Sequence, residues 1–364
     1  MYPVSEPTGE QKYLFWVEDS LVKVLEDQPM SDDASKKVNL HAARGEYEAA
    51  QIAIRPTENF IARMRVECSP LKRRGGGGEL PAPRSRFVDS VPVRSNSGST
   101  PPEHLVAKAP AWIPEVLYDV SDVDVWPNKT RCIWLTFQIP ASAEPGVYTG
   151  KVRIYANKAV IAVPVSVRVH DVTVPAKGKL RITNWVKLDN IARWHGCRMF
   201  DERFWEVVRI YAENMAAHRH NVIFTPMSIF FTKEKLIGIS AKGKKLHFDF
   251  SNFDHWVETF IEAGVVGTIE GGHIGGGGSV HCWIPRGGEV VYERHPADSP
   301  EAEAYLSQFF AALQAHLDRK GWTDIYCQHL MDEPSSEWKD VYNAAARCGS
   351  IPAAGRRGLM PIAS

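Results

Sequence analysis

A β-sandwich followed by a parallel α/β domain is the fold class this 364-residue sequence predicts, and three features predict it. From Tyr13 to Pro175, short runs alternate apolar and polar residues and are broken by Pro, Gly, Asn and Asp. That period of two is what half-buried antiparallel strands require. At Pro175-Ala176-Lys177-Gly178 the pattern changes, and strand-like and helix-like segments then alternate four times. Such alternation is the signature of a parallel α/β unit.

The N-terminal strands read as Tyr13–Val17, Ala50–Ile54, Met64–Val66, Arg131–Ile139, Gly150–Tyr155 and Val160–Val169. Every second residue is apolar in Cys132–Ile139 and Val163–Val169, and Glu144-Pro145-Gly146 marks a turn. Repeated short strands with turn signals predict an antiparallel sandwich. Arg73 to Pro83, with four consecutive glycines, reads as a loop. It lacks the Gly-Lys-Ser/Thr that a phosphate cradle needs. In the second half, Leu180–Val186, Asn221–Thr225, Gly264–Ile269 and Ile325–Met331 are the predicted strands. The predicted helices begin at Asp201, near Ser251, at Pro300 and at Ser335. Asp201 is a good N-cap, and Phe204, Val207, Val208, Tyr211 and Met215 then fall on one face.

Four β/α units amount to about the first half of a (β/α)8 TIM-type barrel. The expected domains are therefore residues 1–174 for the sandwich and 179–347 for an incomplete barrel. Residues 348–364 lose core periodicity. A shifted reading frame near Arg347 can continue the helix and supply a further turn and strand, so this tail is expected to be non-native.

Charge and composition narrow the function. Lys plus Arg and Asp plus Glu are both 43, so no net charge draws the chain to nucleic acid or an anionic membrane. The six cysteines show no CxxC pair and no metal-ligand spacing, and neither a metal nor a cofactor is expected. No run approaches the ~20 apolar residues of a membrane helix. The first residues contain no signal-peptide core, so the expected location is the cytoplasm, or outside the cell if the N-terminus is incomplete. Eleven Trp suit stacking on sugars but equally suit a core.

The candidate site centres on Thr323 to Trp338, TDIYCQHLMDEPSSEW. Its first half is a strand and its end starts a helix, with Asp332 and Glu333 between them, pinned by Pro334. Carboxylates at the C-terminal end of a barrel strand stand where such folds keep their chemistry. Acidic residues ahead of a helix are also ordinary capping groups. Other candidates lie at neighbouring strand ends. Asn184 and Trp185 close the first strand, where the indole can floor a sugar subsite or simply pack the rim. His273 and His281 follow the third strand and can contact hydroxyls. His218, Arg219, His220 and Asn221 precede the second strand, on the less favourable end, and His329 reads as a satisfied core histidine. Gly275 to Gly278 reads as a mobile loop or lid.

The Asp332-Glu333 stretch resembles the catalytic motif of glycoside hydrolase family 123, the retaining β-N-acetylgalactosaminidases and their relatives. The run Ala43-Arg44-Gly45-Glu46-Tyr47-Glu48-Ala49-Ala50-Gln51 is similar to the Arg-x-Glu-x-Glu-x-x-Gln run of that family's N-terminal domain. Trp134-Leu135-Thr136, Ile139-Pro140 and Pro145 to Gly150 are similar to its later strands. The likeness spans about residues 12 to 346 in the family's order.

The resemblance implies cleavage of terminal β-linked N-acetylgalactosamine, or a related 2-acetamido sugar, from an oligosaccharide or glycoconjugate. Two carboxylates adjacent in sequence do not naturally straddle a glycosidic bond as the usual pair must. They suit substrate assistance, in which the substrate's own acetamido oxygen attacks the anomeric carbon. The resemblance gives Asp332 the role of stabilising the acetamido group and Glu333 that of general acid/base. Such an acid must be protonated near neutral pH, so burial or the Asp332 charge is expected to raise its pKa. Two other classes stay open: a carbohydrate-binding protein without turnover, and an inactive fragment.

Overall fold

The computed structural model describes residues 13–227, 234–276 and 278–331, together with the isolated positions 339, 343, 362 and 363. The chain divides into two compact units, Met1–Ala176 and Lys177–Ser364.

The first unit is two stacked sheets. One has five strands in the order Tyr13–Asp19, Tyr47–Pro56, Arg131–Gln138, Arg84–Val93 and Ala111–Tyr118. The other runs Val38–Arg44, Ala159–Thr173, Gly146–Ala156, Ile61–Cys68 and Val123–Val125, with two short strands beside it. Alternation sorts their side chains. Ile52, Ile54, Ile133 and Leu135 of the first sheet share one buried core with Val152, Ile154, Val163 and Val165 of the second. The pairing departs from a wholly antiparallel sandwich at one place, because Val165–Val169 runs parallel to Val38–Ala42.

The Arg44–Gln51 motif is structural here. Gly45 turns the chain at φ +74°, and a Cβ there would meet the Val174 carbonyl at 2.9 Å. The Glu46 side chain accepts from the Ala43 N–H at 2.5 Å. Gln51 is buried and donates to the Asp19 and Val22 carbonyls at 2.9 and 2.8 Å. It thereby anchors the segment after Asp19, which covers a smaller apolar cluster of Trp16, Val24, Ala53, Val88 and Cys132.

The second unit carries a parallel sheet ordered Val222–Thr225, Thr268–Gly271 and Tyr326–His329, with Ile362–Ala363 pairing beside the last strand. Among the described residues this sheet is open. Helices α1 (Leu188–His195), α2 (Glu202–Ala217), α3 (Ser251–Ala263) and α4 (Pro300–Lys320) pack around it. The caps explain their limits. Asp201 accepts from the Phe204 N–H at the start of α2, and Ser299 from the Ala302 N–H at the start of α4. Gly264 and Gly321 end α3 and α4 in the left-handed region.

Three expectations change. Leu180–Val186 is not a strand. The Asn221 side chain bonds the Gly178 and Leu180 carbonyls and the Ile182 N–H, satisfying backbone that a ladder would otherwise pair. Leu180 is exposed rather than packed. Where a glycine-rich loop was expected, Gly275–Gly276, Ser279–Arg286 and Glu289–Pro296 form a three-stranded antiparallel sheet, and Gly277 lies outside the described residues. Gly287 and Gly288, at φ +58° and +96°, make its tight turn. Finally, α1 had no counterpart in the predicted elements. The helix expected over 335–347 and the tail 348–364 lie almost wholly outside the described residues.

Candidate functional site

The three parallel strands end side by side, at Thr225, Gly271 and His329. Ligands bind at this carboxyl edge in open α/β sheets. Its centre is Glu270. The Glu270 carboxylate accepts from Thr183 Oγ1 at 2.7 Å and from the Trp185 indole N–H at 3.1 Å. His329 Nδ1 stands 3.4 Å from Oε1, an ion-pair distance rather than a tight hydrogen bond. Burial pushes the Glu270 pKa up, but His329, Thr183 and Trp185 together outweigh it and hold the carboxyl below its ordinary value. Glu270 is therefore an anion at neutral pH, able to orient an imidazole and an indole.

The rings it holds form a cluster. Trp185 meets His273 edge-on with centroids 4.8 Å apart and His329 at 5.6 Å, and it stacks on Phe224 at 5.8 Å. His273 and His329 are themselves 4.0 Å apart. His273 is buried, whereas Trp185 is 43% exposed and offers ring surface to a ligand.

Close backbone approach makes this packing possible. A Cβ on Gly271 would meet Tyr326 Oη at 2.1 Å, and one on Gly272 the Thr225 carbonyl at 2.8 Å. Tyr326 donates to Gln328 Oε1 at 2.7 Å, and Gln328 Nε2 donates to the Gly272 and His329 carbonyls at 2.8 Å each. Thr225 Oγ1 donates to the Glu270 carbonyl at 2.8 Å. Buried polar groups at the strand ends are thus tied to one another, which fixes the cluster.

The sequence candidates divide accordingly. Trp185 and His273 come together, and His329, read from the sequence as a satisfied core histidine, joins them beside Glu270. Asn184 sits apart, its amide 3.4 Å from His220 Nε2. His218 bonds the Asn214 carbonyl at the end of α2. His281 lies in the adjoining hairpin, 2.5 Å from Tyr292 Oη, and burial followed by Arg294 keeps it neutral. A small cavity of about 40 Å³ lies between them, with Met227, His273, Ile274, His281, Trp283 and Tyr292 in its lining. Asp332 and Glu333 lie outside the described residues, directly after Met331 in the chain. Among the described residues, no three His, Cys, Asp or Glu side chains are grouped to hold a metal ion. Burial pushes the Cys132 and Cys282 thiols up to about 12, so neither offers a thiolate nucleophile.

Glu270 is the residue that sequence reasoning missed. Its signal was an acid followed by Gly271-Gly272-His273 just past the predicted strand Gly264–Ile269, whereas the strand in the structure runs on to Gly271.

Two family models match the chain: the glycoside hydrolase 123 catalytic domain over residues 185–354 and the glycoside hydrolase 123 N-terminal domain over residues 23–156. The chain belongs to glycoside hydrolase family 123. The catalytic-domain match begins at Trp185, takes in Glu270, His273, His329, Asp332 and Glu333, and runs seven residues past the expected boundary at 347. A solved family 123 glycoside hydrolase from Clostridium perfringens, described through its glycolipid glycan hydrolysis, shares the fold with a TM-score of 0.80 at 16% identity. The alignment covers 97% of this chain and 63% of that one, so this family 123 chain spans less than two thirds of the clostridial protein. A Porphyromonas gingivalis protein of unknown function aligns at 12% identity over 43% of this chain and 48% of its own, with a TM-score of only 0.22, too low to inform the fold. No curated protein matches significantly.

Proposed function

We propose that this family 123 member hydrolyses terminal β-linked N-acetylgalactosamine, or a related 2-acetamido sugar, with retention of configuration. The observation that carries the reading is the anionic Glu270 and its ring cluster at the carboxyl edge of the parallel strands. Asp332 and Glu333 follow His329 of that cluster by three and four residues in the chain. Such a position fits a (β/α)8 TIM-type barrel, of which the residues up to 347 supply about the first half.

In this mechanism Glu333 gives its proton to the leaving glycosidic oxygen while the substrate's acetamido oxygen bonds to the anomeric carbon. Asp332 accepts the acetamido N–H and stabilises the positive charge of the resulting oxazolinium ring. Glu333 then takes a proton from water, which attacks the same carbon from the face the leaving group vacated, and the acetamido group is restored. Two displacements give net retention. In this reading Trp185 supplies a ring face under the sugar and His273, edge-on to it, contacts a hydroxyl, whereas Asn184, beside His220, has no part in the site. A glycan bearing the sugar is the expected partner.

Hydrolysis of a nitrophenyl β-N-acetylgalactosaminide by the wild type, Glu333→Gln and Asp332→Asn tests the assignment. Loss of a general acid/base is expected to lower the rate by about 10²–10⁴-fold. Wild-type turnover that survives in both variants would refute the roles. Wild-type inactivity with sugar binding retained would favour a carbohydrate-binding protein.

A further inference from the structure

A second ligand site lies in the sandwich unit. On the outer face of the five-stranded sheet, away from the shared core, a cavity of about 280 Å³ is lined by Glu26, Asp89, Ser90, Trp112, Thr130 and Arg131, among others. Its floor comes from three adjacent strands, Arg131–Gln138, Arg84–Val93 and Ala111–Tyr118. Its wall is the segment after Asp19, which several bonds fix in place. Lys23 Nζ bonds the Pro114 carbonyl at 3.0 Å, the Thr130 N–H donates to the Glu26 carbonyl at 2.7 Å, and Thr130 Oγ1 to the Gln28 carbonyl at 2.8 Å. A register shift between Asp89 and Ser90 interrupts the ladder here, and such irregularities re-aim side chains. The site is therefore preformed.

Its chemistry is specific. Trp112 is 60% exposed, an unusual cost for an indole on a rigid strand. Beside it, Asp89 Oδ1 accepts both Arg131 Nη1 at 2.7 Å and the Ser90 N–H at 2.9 Å. Arg131 uses the same Nη1 for the Val88 carbonyl at 3.0 Å. These contacts leave Asp89 Oδ2 as an acceptor and Arg131 Nη2 and Nε as donors. Burial pushes the Asp89 pKa up, and Arg131 and Ser90 more than reverse it, so the acceptor is charged. Glu26 faces Lys129 at 3.7 Å. Lys129 bonds Asp27 more closely, at 2.7 Å, and the lining itself carries Glu26, Asp89 and Arg131, so an anion is disfavoured. An aromatic face with a charged acceptor and a fork of donors suits a neutral polyhydroxylated ring, whose C–H face stacks while its vicinal hydroxyls pair. The volume falls just under the about 300–1,000 Å³ of drug-sized sites, which fits one sugar unit.

We propose that this cavity is a monosaccharide-binding site, with Trp112 as stacking platform and Asp89 and Arg131 as the hydroxyl-reading pair. It holds a glycan by the sandwich unit without taking part in hydrolysis.

The test labels the full chain with 5-fluorotryptophan and assigns the Trp112 resonance by its loss in Trp112→Phe. Methyl β-galactoside, methyl β-glucoside and N-acetylgalactosamine are then titrated into the millimolar range. Because the reporter belongs to the sandwich, the result does not depend on the catalytic assignment. The proposal expects a saturable shift of the Trp112 resonance with at least one sugar. In Asp89→Asn the dissociation constant should rise about tenfold or more, as loss of a charged hydrogen bond implies. A Trp112 resonance unmoved by all three sugars would overturn the proposal, as would an Asp89→Asn variant that binds as tightly as the wild type.

Discussion

Replacing Glu270 by Gln removes a charge while keeping the side chain's shape, and the consequences follow from its partners. The wild-type carboxylate receives Thr183 and Trp185 on its two oxygens and faces His329, with only 13% of its side chain exposed. A glutamine can keep its oxygen on the Trp185 N–H and donate its NH2 to Thr183 Oγ1, because a hydroxyl also accepts. What is lost is the charge: two charge-assisted bonds become neutral and His329 no longer faces an anion, a cost of about 2 kcal/mol. For a domain of this size that lowers the melting temperature by about 4–8 °C. Calorimetry of the whole protein is the assay, with the sandwich serving as internal reference. The pH dependence has a definite sign. Glu270 titrates lower in the folded protein than its ordinary 4.5, so its contribution is present above that value. It is lost as pH falls through the depressed folded pKa, and the gap between wild type and variant closes there. An unchanged transition at neutral pH, or a gap that widens on acidification, would refute the reasoning.

Other outcomes follow from single contacts. Gly271→Ala places a Cβ 2.1 Å from Tyr326 Oη, whose hydroxyl is already committed to Gln328, and should cost about 2–4 kcal/mol in denaturant unfolding. Gln51→Leu removes two bonds to the Asp19 and Val22 carbonyls, so limited proteolysis should cut within residues 20–37 faster than in the wild type. Asp201→Ala loses the cap on Phe204, and hydrogen exchange in the first turn of α2 should rise in line with about 1 kcal/mol.

How far the chain could be read in advance depended on whether a residue's partners are local. The sandwich strands were legible because alternation is a local pattern: Cys132–Ile139 and Val163–Val169 put the same residues inward that the structure buries. Helices α2 and α4 were legible from Asp201 and Ser299-Pro300, whose capping bonds span three residues. Leu180–Val186 misled because its composition suits a strand, while the Asn221 side chain, 35 or more residues away, takes its backbone bonds. The Ser279–Pro296 hairpin was hidden by surrounding glycines, although Gly287-Gly288 between two alternating runs is itself a hairpin signal. At the site, Trp185 and His273 could be named from strand ends, but Glu270 could not. Its importance lies in contacts with Thr183, Trp185 and His329, each more than 50 residues away in sequence: parallel pairing of strands brings His329 near, and Asn221 holds the segment that leads to Thr183 and Trp185.

The proposed mechanism, in which Asp332 and Glu333 harness the substrate's own acetamido group, makes the 2-acetamido substituent indispensable. Comparing hydrolysis of nitrophenyl β-N-acetylgalactosaminide with that of the matching β-galactoside tests it most directly, because the two differ only at the 2-position. The account predicts turnover of the acetamido sugar and none above background for the galactoside, which lacks the internal nucleophile. Comparable rates on both would contradict it.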